Sequence, residues 1–260
     1  MGLYKCVHNK IYRTPNGYRF GIKGYRQYPP STKSRFVDAN GDNFRRLLLS
    51  LKDGNGFSIK LFAQLLAAIY DECLGGPEAV VCVPPSKETE GTRRDPMATL
   101  VRSLGMVGLS VIDGSNWLRR TTSIVPCHES NLYRDSVKQA ANIACVIPKR
   151  YQGVKSVLVL DDICTSGSSI TGSVSRIREE LPEAKIIGFA FGYTPFYVES
   201  TTYATPEFPT IYGLANDISQ TMSNGSTKLG LRLTSAKARL LAVQVRFMYG
   251  AATGQTGRGA

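Results

Sequence analysis

No stretch of this 260-residue chain holds about 18 consecutive apolar residues, so nothing in it reads as a membrane-spanning helix. The amino terminus, "MGLYKCVHNKIYR", contains no apolar secretory core. A soluble, cytoplasmic protein with no membrane partner is therefore expected. Cysteine occurs six times, as Cys6, Cys73, Cys82, Cys127, Cys145 and Cys164, but never as a CxxC pair. That spacing argues against a zinc ribbon and against a dense disulfide framework. Histidine is scarce: His8 and His128 are the two in the sequence, and an isolated imidazole without placed partners is not assigned to catalysis. Acid is missing from both ends. Residues 1 to 35 carry eight Lys or Arg and five Tyr without one Asp or Glu, and six more bases follow Asp217, again without an acid. The formal net charge of +12 therefore sits in two basic arms around a nearly balanced middle. Such arms attract the phosphates of a nucleic acid or of a small molecule, and they suit a plain solvated surface equally well.

Through the middle of the chain, helix and strand signals alternate. "IKLFAQLLAAIYDEC" spaces Phe62, Leu65, Leu66, Ile69 and Cys73 along one face of an amphipathic helix that ends near "LGGP". "AVVCVPP" is a short apolar strand stopped by Pro84 and Pro85. "RDPMATLVRSLG" predicts a helix with Asp95 as N-cap, Pro96 in its first position and Gly105 just past its end. "SVLVL" is a second buried strand, "SSITGSVSRIREEL" a helix, and "AKIIGFAFG" a third strand. Unbroken apolar strands separated by helices predict an α/β fold, an open and mainly parallel sheet with helices on both faces. From "TPFYVES" to residue 227 the pattern dissolves into Thr, Pro, Ser and Gly. Three parts are expected: a basic N-terminal extension over 1–43, a core over 44–195, and a C-terminal extension with a basic tail over 196–260.

The chemistry concentrates in "SVLVLDDICTSGSSITGS". In an open parallel sheet, ligands gather at the carboxyl ends of the strands, and Asp161 and Asp162 are expected at that end of the "SVLVL" strand. Thr165, Ser166, Gly167, Ser168 and Ser169 then fill the turn into a helix. A turn of small residues lets successive backbone N–H groups converge on an anion, with hydroxyls and the helix dipole assisting. Two carboxylates beside a phosphate make sense where the ligand also presents hydroxyls or a bound Mg2+. A ribose carrying a 5-phosphate meets both conditions.

"VLVLDDICTSGSSI" resembles the phosphoribosyl diphosphate (PRPP) signature of type I phosphoribosyltransferases, in which a strand, two acids and two spacer residues precede a hydroxyl-rich loop around a Gly. The resemblance implies that fold, with Asp161 and Asp162 holding the ribose hydroxyls and Thr165, Ser166, Gly167, Ser168 and Ser169 gripping the 5-phosphate. Cys164, a spacer counted with that 5-phosphate loop, reads as structural within it. "VVCVPPSKETEGTRRDPMATLVRSLG" resembles the family's diphosphate loop and the helix after it, which makes Ser86, Lys87 and Thr89 the candidates for the diphosphate, with Arg93 and Arg94 nearby. "LRRTTSIVPCHESNLYRDSVKQAANIACV" is similar to the ComF-type branch, although the paired cysteines of that branch's N-terminal zinc finger are missing. Arg119, Arg120 and Arg134 lie in the stretch that is a mobile flap in many relatives.

What the resemblance implies is displacement at the anomeric carbon of PRPP, with Mg2+ as cofactor and Asp161 and Asp162 at the catalytic site, acting on the metal indirectly through the ribose. The expected function is transfer of the phosphoribosyl group to an acceptor, a nucleobase first among the candidates. The alternative is a non-catalytic PRPP- or nucleotide-sensing regulator, or a ComF-like accessory protein binding nucleic acid through its basic ends. A homodimer is left open as an assembly. Phe191, Tyr193, Phe196 and Tyr197 are aromatics that could stack on a base or pack as a cluster.

Overall fold

The computed structural model of the protein describes residues 8–28, 39–86, 95–123 and 135–194. In chain order the elements are β1 (His8–Arg13), β2 (Arg19–Gln27), α1 (Ala39–Lys52), α2 (Gly56–Leu74), β3 (Ala79–Cys82), α3 (Pro96–Ser103), β4 (Ile112–Asp113), β5 (Leu118–Arg120), α4 (Ser136–Ala141), β6 (Ile143–Cys145), β7 (Ser156–Cys164), α5 (Ser168–Glu180) and β8 (Lys185–Tyr193). Six strands form one sheet in the order β1-β2-β8-β7-β3-β4. Every neighbouring pair in it is parallel except β1 and β2, which form an antiparallel hairpin on the edge. β5 and β6 make a separate antiparallel pair.

The three apolar runs seen in the sequence are the central strands, and alternation along them divides the core into two layers. Leu158, Leu160, Phe189, Phe191, Val80 and Cys82 pack on one face against Leu48, Phe62, Leu66 and Leu100 of α1, α2 and α3. Val157, Val159, Ile186, Ala190, Ala79 and Val81 pack on the other against Ile170, Val174 and Ile177 of α5, joined by Trp117, Leu118 and Ile143. Helices thus cover both faces, as a parallel sheet with two buried faces requires. α2 is capped by Asn55, whose side chain accepts the Ser58 N–H at 3.1 Å. Gly75 follows as its left-handed C-cap. α3 begins with Asp95 accepting the Met97 N–H at 2.9 Å, and Pro96 occupies its first position. The helix ends at Ser103 with Gly105 just past it, and the chain then tightens into a 3-10 turn over Leu104–Val107 that closes on the left-handed Gly108.

The first boundary of the expected division does not separate an appendage from the core. Residues 8–27 belong to the main sheet, because β2 runs parallel beside β8 and buries Phe20 and Ile22. Some of the charges that made the segment read as a basic arm sit on β1 and β2, and Lys23 among them donates to the Cys73 carbonyl of α2. Arg13 and Arg19 are exposed while Phe20 and Ile22 face inward. The Asn16–Gly17 turn, with Gly17 at φ +86°, is the hairpin signal in the sequence.

Gly192 near the end of β8 positions α1. A β carbon there would stand 2.9 Å from Leu48 Cδ2, so the absence of a side chain lets α1 lie close against the sheet beside Ile163. Among the described residues no helix is long and apolar enough to cross a membrane.

Candidate functional site

The buried run Val157–Leu160 carries β7 through the middle of the sheet, and the strand continues to Cys164. The acid pair therefore lies within the last turn of the ladder rather than after it: Asp161 is registered with Ala190 and Ile163 with Gly192. Something changes there. Strict alternation would send Ile163 to the face of Val159 and Cys164 to the face of Leu160. Instead Ile163 packs with the α1–α2 layer and Cys164 with the α5 layer, so the alternation slips by one across the two acids. Local hydrogen bonds fix the pair. Asp161 Oδ1 accepts the Asp162 N–H at 2.9 Å, and Asp162 Oδ1 accepts the Ile163 N–H at 2.6 Å.

A residue that the sequence reading did not assign completes the acid site. Lys52, the last residue of α1, places its Nζ 3.1 Å from Asp162 Oδ2. Burial raises the Asp161 carboxyl well above the ordinary carboxylate range; Asp162 beside it pushes the same way, and Lys52 pulls back. For Lys52 burial works against the ammonium, but Asp162, Asp161 and the hydrogen bond together outweigh it and hold the group protonated beyond its usual range. A base on the α1 terminus also sits well with the helix dipole. In the sequence, the Leu-Lys of "SLKDGNG" followed by a helix is similar in layout to the ComF-type branch, but no local pattern ties Lys52 to the acids, because only tertiary packing brings it to β7.

After β7 the chain turns through Thr165, Ser166 and Gly167 into α5. Gly167 has φ +79°, a left-handed conformation that aims the following amides along the helix start. Ser166 Oγ and Ser168 Oγ are 2.8 Å apart, so two of the loop hydroxyls already converge. Thr165 is exposed, Ser169 half-buried and Ser168 buried. The Thr171 N–H is taken by Gly167 O at 2.8 Å. The helix start, its dipole and the hydroxyls are the groups from which a small-residue anion cradle is made, and they lie directly after the acid pair.

Strand β1 supplies the cradle's wall. Tyr12 lies over Gly167 and hydrogen-bonds the Cys164 thiol, and the Lys10 Nζ stands 5.4 Å from the centre of the Tyr12 ring. Burial first, then Asp161, pushes the Cys164 thiol up to about 12, so it is an inert packed group, in agreement with its reading as structural. Tyr12 is likewise raised by burial and by Cys164.

The remaining candidates divide. Ser86 follows β3 and is half-buried at the carboxyl end of the sheet, while Lys87, Thr89, Arg93, Arg94 and Arg134 lie outside the described residues. Arg119 and Arg120 are in β5: Arg120 is buried, and its Nε donates to Pro85 O at 3.3 Å, bracing the loop that carries Ser86. Arg119 on the same strand is exposed. Phe191 is no base-stacking platform. It is fully buried, with ring centroids 4.7 Å from Phe62 and 5.4 Å from Phe189. Tyr193 is half-buried, and Phe196 and Tyr197 lie outside the described residues.

Among the described residues no three His, Cys, Asp or Glu side chains come together as a metal cage. A hard cation wants six or more oxygens, and here two adjacent carboxylates are offered, one of them already paired to an ammonium.

No protein-family model matches the chain, and no curated protein matches it. The ComF-type branch accordingly finds no support. Among solved structures, a xanthine-guanine-hypoxanthine phosphoribosyltransferase of Helicobacter pylori is similar, at 18% identity over 66% of this chain and 88% of that one, with a TM-score of 0.28. So loose a superposition carries no residue roles across. The fold class stands on the chain's own topology: an open, mainly parallel α/β sheet covered on both faces, the architecture that a type I phosphoribosyltransferase resemblance implies.

Proposed function

We propose that the chain binds a phosphoribosyl ligand of the PRPP class and transfers its phosphoribosyl group to an acceptor, with a nucleobase as the first candidate. One observation carries the reading: an acid pair at the carboxyl end of a central parallel strand runs directly into a left-handed glycine and a hydroxyl-rich helix start. Carboxylates accept hydrogen bonds from vicinal hydroxyls, and the cradle suits a dianionic phosphate a few ångströms farther along. Asp161 and Asp162 would orient the ribose while Thr165, Ser166, Ser168 and Ser169 hold the 5-phosphate. Ser86, on the loop braced by Arg120, would meet the diphosphate.

In the transfer, the bond from the anomeric carbon to the diphosphate oxygen breaks and its electron pair leaves with the diphosphate. A bond from an acceptor nitrogen forms at the same carbon, and the acceptor gives up a proton. The protein's share is positional and electrostatic, since no side chain need act as nucleophile. Mg2+ carried on the diphosphate would neutralise charge on the leaving group, with the acids reaching it through the ribose hydroxyls.

Calorimetry with PRPP and Mg2+ tests the binding half. The wild type should bind, and Asp161→Asn/Asp162→Asn should lose at least about tenfold in affinity, the worth of one or two hydrogen bonds to charged groups. Equal affinity in both proteins, or none in either, would sink the reading. Diphosphate release with a panel of bases, abolished in Asp162→Asn, tests the transfer half. Binding without release for any acceptor would instead point to a ligand-sensing protein.

A further inference from the structure

We propose that Lys52 is the built-in cation of the acid pair, doing at the ribose what a divalent ion would otherwise do, so that the ribose 5-phosphate part of the ligand binds without metal. The inference rests on the phosphoribosyl reading of the site and says how that site is charged.

An ionised carboxylate beside an anion cradle repels the phosphate it is meant to help bind, and Asp162 is such a group. At the separations involved, a unit charge matters by kilocalories where water is partly excluded. The usual remedy is a hard cation, but the described residues supply no third acidic or imidazole ligand to hold one. They supply an ammonium. Lys52 Nζ stands 3.1 Å from Asp162 Oδ2 and senses Asp161 as well. The ammonium is not there by chance of a wandering side chain. α1 is clamped by Leu48 and Leu51, both fully buried, and by the close approach of Leu48 to Gly192, so its last residue arrives at the carboxyl end of β7 with little freedom. The side chain is still 44% exposed, against 18% for Asp162. It can therefore turn a proton toward an incoming hydroxyl while keeping the carboxylate. Lys52 is a positioning residue in this scheme: it holds Asp162 ready as an acceptor and offsets the charge of that carboxylate.

Ribose 5-phosphate, which has no diphosphate to carry Mg2+, is the discriminating probe. Calorimetry in EDTA and in Mg2+ should give wild-type affinities within about twofold of each other. Lys52→Met should bind about tenfold more weakly in EDTA and regain part of the loss in Mg2+, the expected worth of one charge-assisted hydrogen bond. Lys52→Gln should behave as Lys52→Met does, which guards against a defect peculiar to one variant, and Lys52→Arg should restore metal-independent binding. A purely structural Lys52 would not move the Mg2+ dependence. Wild-type binding that needs Mg2+, or folded Lys52→Met binding like wild type in EDTA, overturns the role of Lys52 while leaving the phosphoribosyl reading in place. No binding of ribose 5-phosphate or PRPP under any condition overturns that reading, and the role of Lys52 with it.

Discussion

The ring of Tyr12 lies against Gly167 so closely that a β carbon on the glycine would stand 2.6 Å from Tyr12 Cε1 and 2.9 Å from Cζ. An edge strand near the beginning of the described chain thereby fixes a turn more than 150 residues later. The contact explains why the cradle holds one shape: the turn needs a left-handed residue, and the tyrosine leaves room only for hydrogen there.

Gly167→Ala should therefore destabilise the protein by roughly 2–4 kcal/mol, combining left-handed strain of about 1–2 kcal/mol with overpacking against the ring. Replacing Tyr12 by Ala in the same chain should relieve part of the second effect. Denaturant unfolding of the two single variants and the double variant gives the coupling, expected at about 1 kcal/mol or more. Strict additivity would mean that the ring does not constrain the turn.

Asp161 makes a pH signature of unusual sign. Its carboxyl is raised by burial and by Asp162, so the folded state keeps a proton that the unfolded chain releases near its ordinary value of about 3.9. Between those two values the folded state binds more protons, and stability falls as pH rises above about 4. Asp161→Asn should flatten that fall and gain relative stability toward neutral pH. Unfolding midpoints from pH 4 to 8 check it; parallel curves for the two proteins would refute the shift.

Arg120 should matter to stability. Its buried guanidinium holds the Pro85 carbonyl, and Arg120→Ala should cost about 1–3 kcal/mol by leaving that acceptor and the space around it unfilled. Arg120→Lys should not restore it, since one ammonium cannot reproduce the guanidinium fork. Thermal unfolding measures both. A variant of wild-type stability that changes only ligand affinity would give Arg120 a flap role instead.

Deleting residues 1–27 should collapse the fold rather than trim an appendage. β2 is hydrogen-bonded along β8, and Ile22 lies fully buried against the α5 layer. Circular dichroism and thermal unfolding of the shortened chain should show loss of the cooperative transition. Arg13→Gln/Arg19→Gln, on exposed positions, should leave stability within about 0.5 kcal/mol. That pair, and not a deletion, is the proper variant for measuring salt-dependent binding to nucleic acid, where each lost phosphate contact lowers the slope by about 0.9.

Much of the scaffold was legible before folding. "AVVC", "SVLVL" and "KIIGFAF" are too uniformly apolar for anything but strands buried on both faces, and Asp95 and Pro96 mark a helix start by their own local chemistry. The acid pair and the Gly167 turn were legible for the same reason, since contiguous residues carry the pattern. The hairpin over 8–27 was legible in principle from its alternation and Asn16–Gly17 turn, but its outward bases masked the inward Phe20 and Ile22.

The sequence by itself determined the parallel α/β class, the two-layered core and the place of an acid pair followed by a hydroxyl-rich turn. These depend on periodicity and on neighbours along the chain. The tertiary structure alone decided that Lys52 neutralises Asp162, that Tyr12 shapes the turn at Gly167, that Arg120 is a brace and that Phe191 is core. Each of those joins residues tens to more than a hundred positions apart, and a charge or a ring acquires its partner only when the sheet order brings the strands side by side.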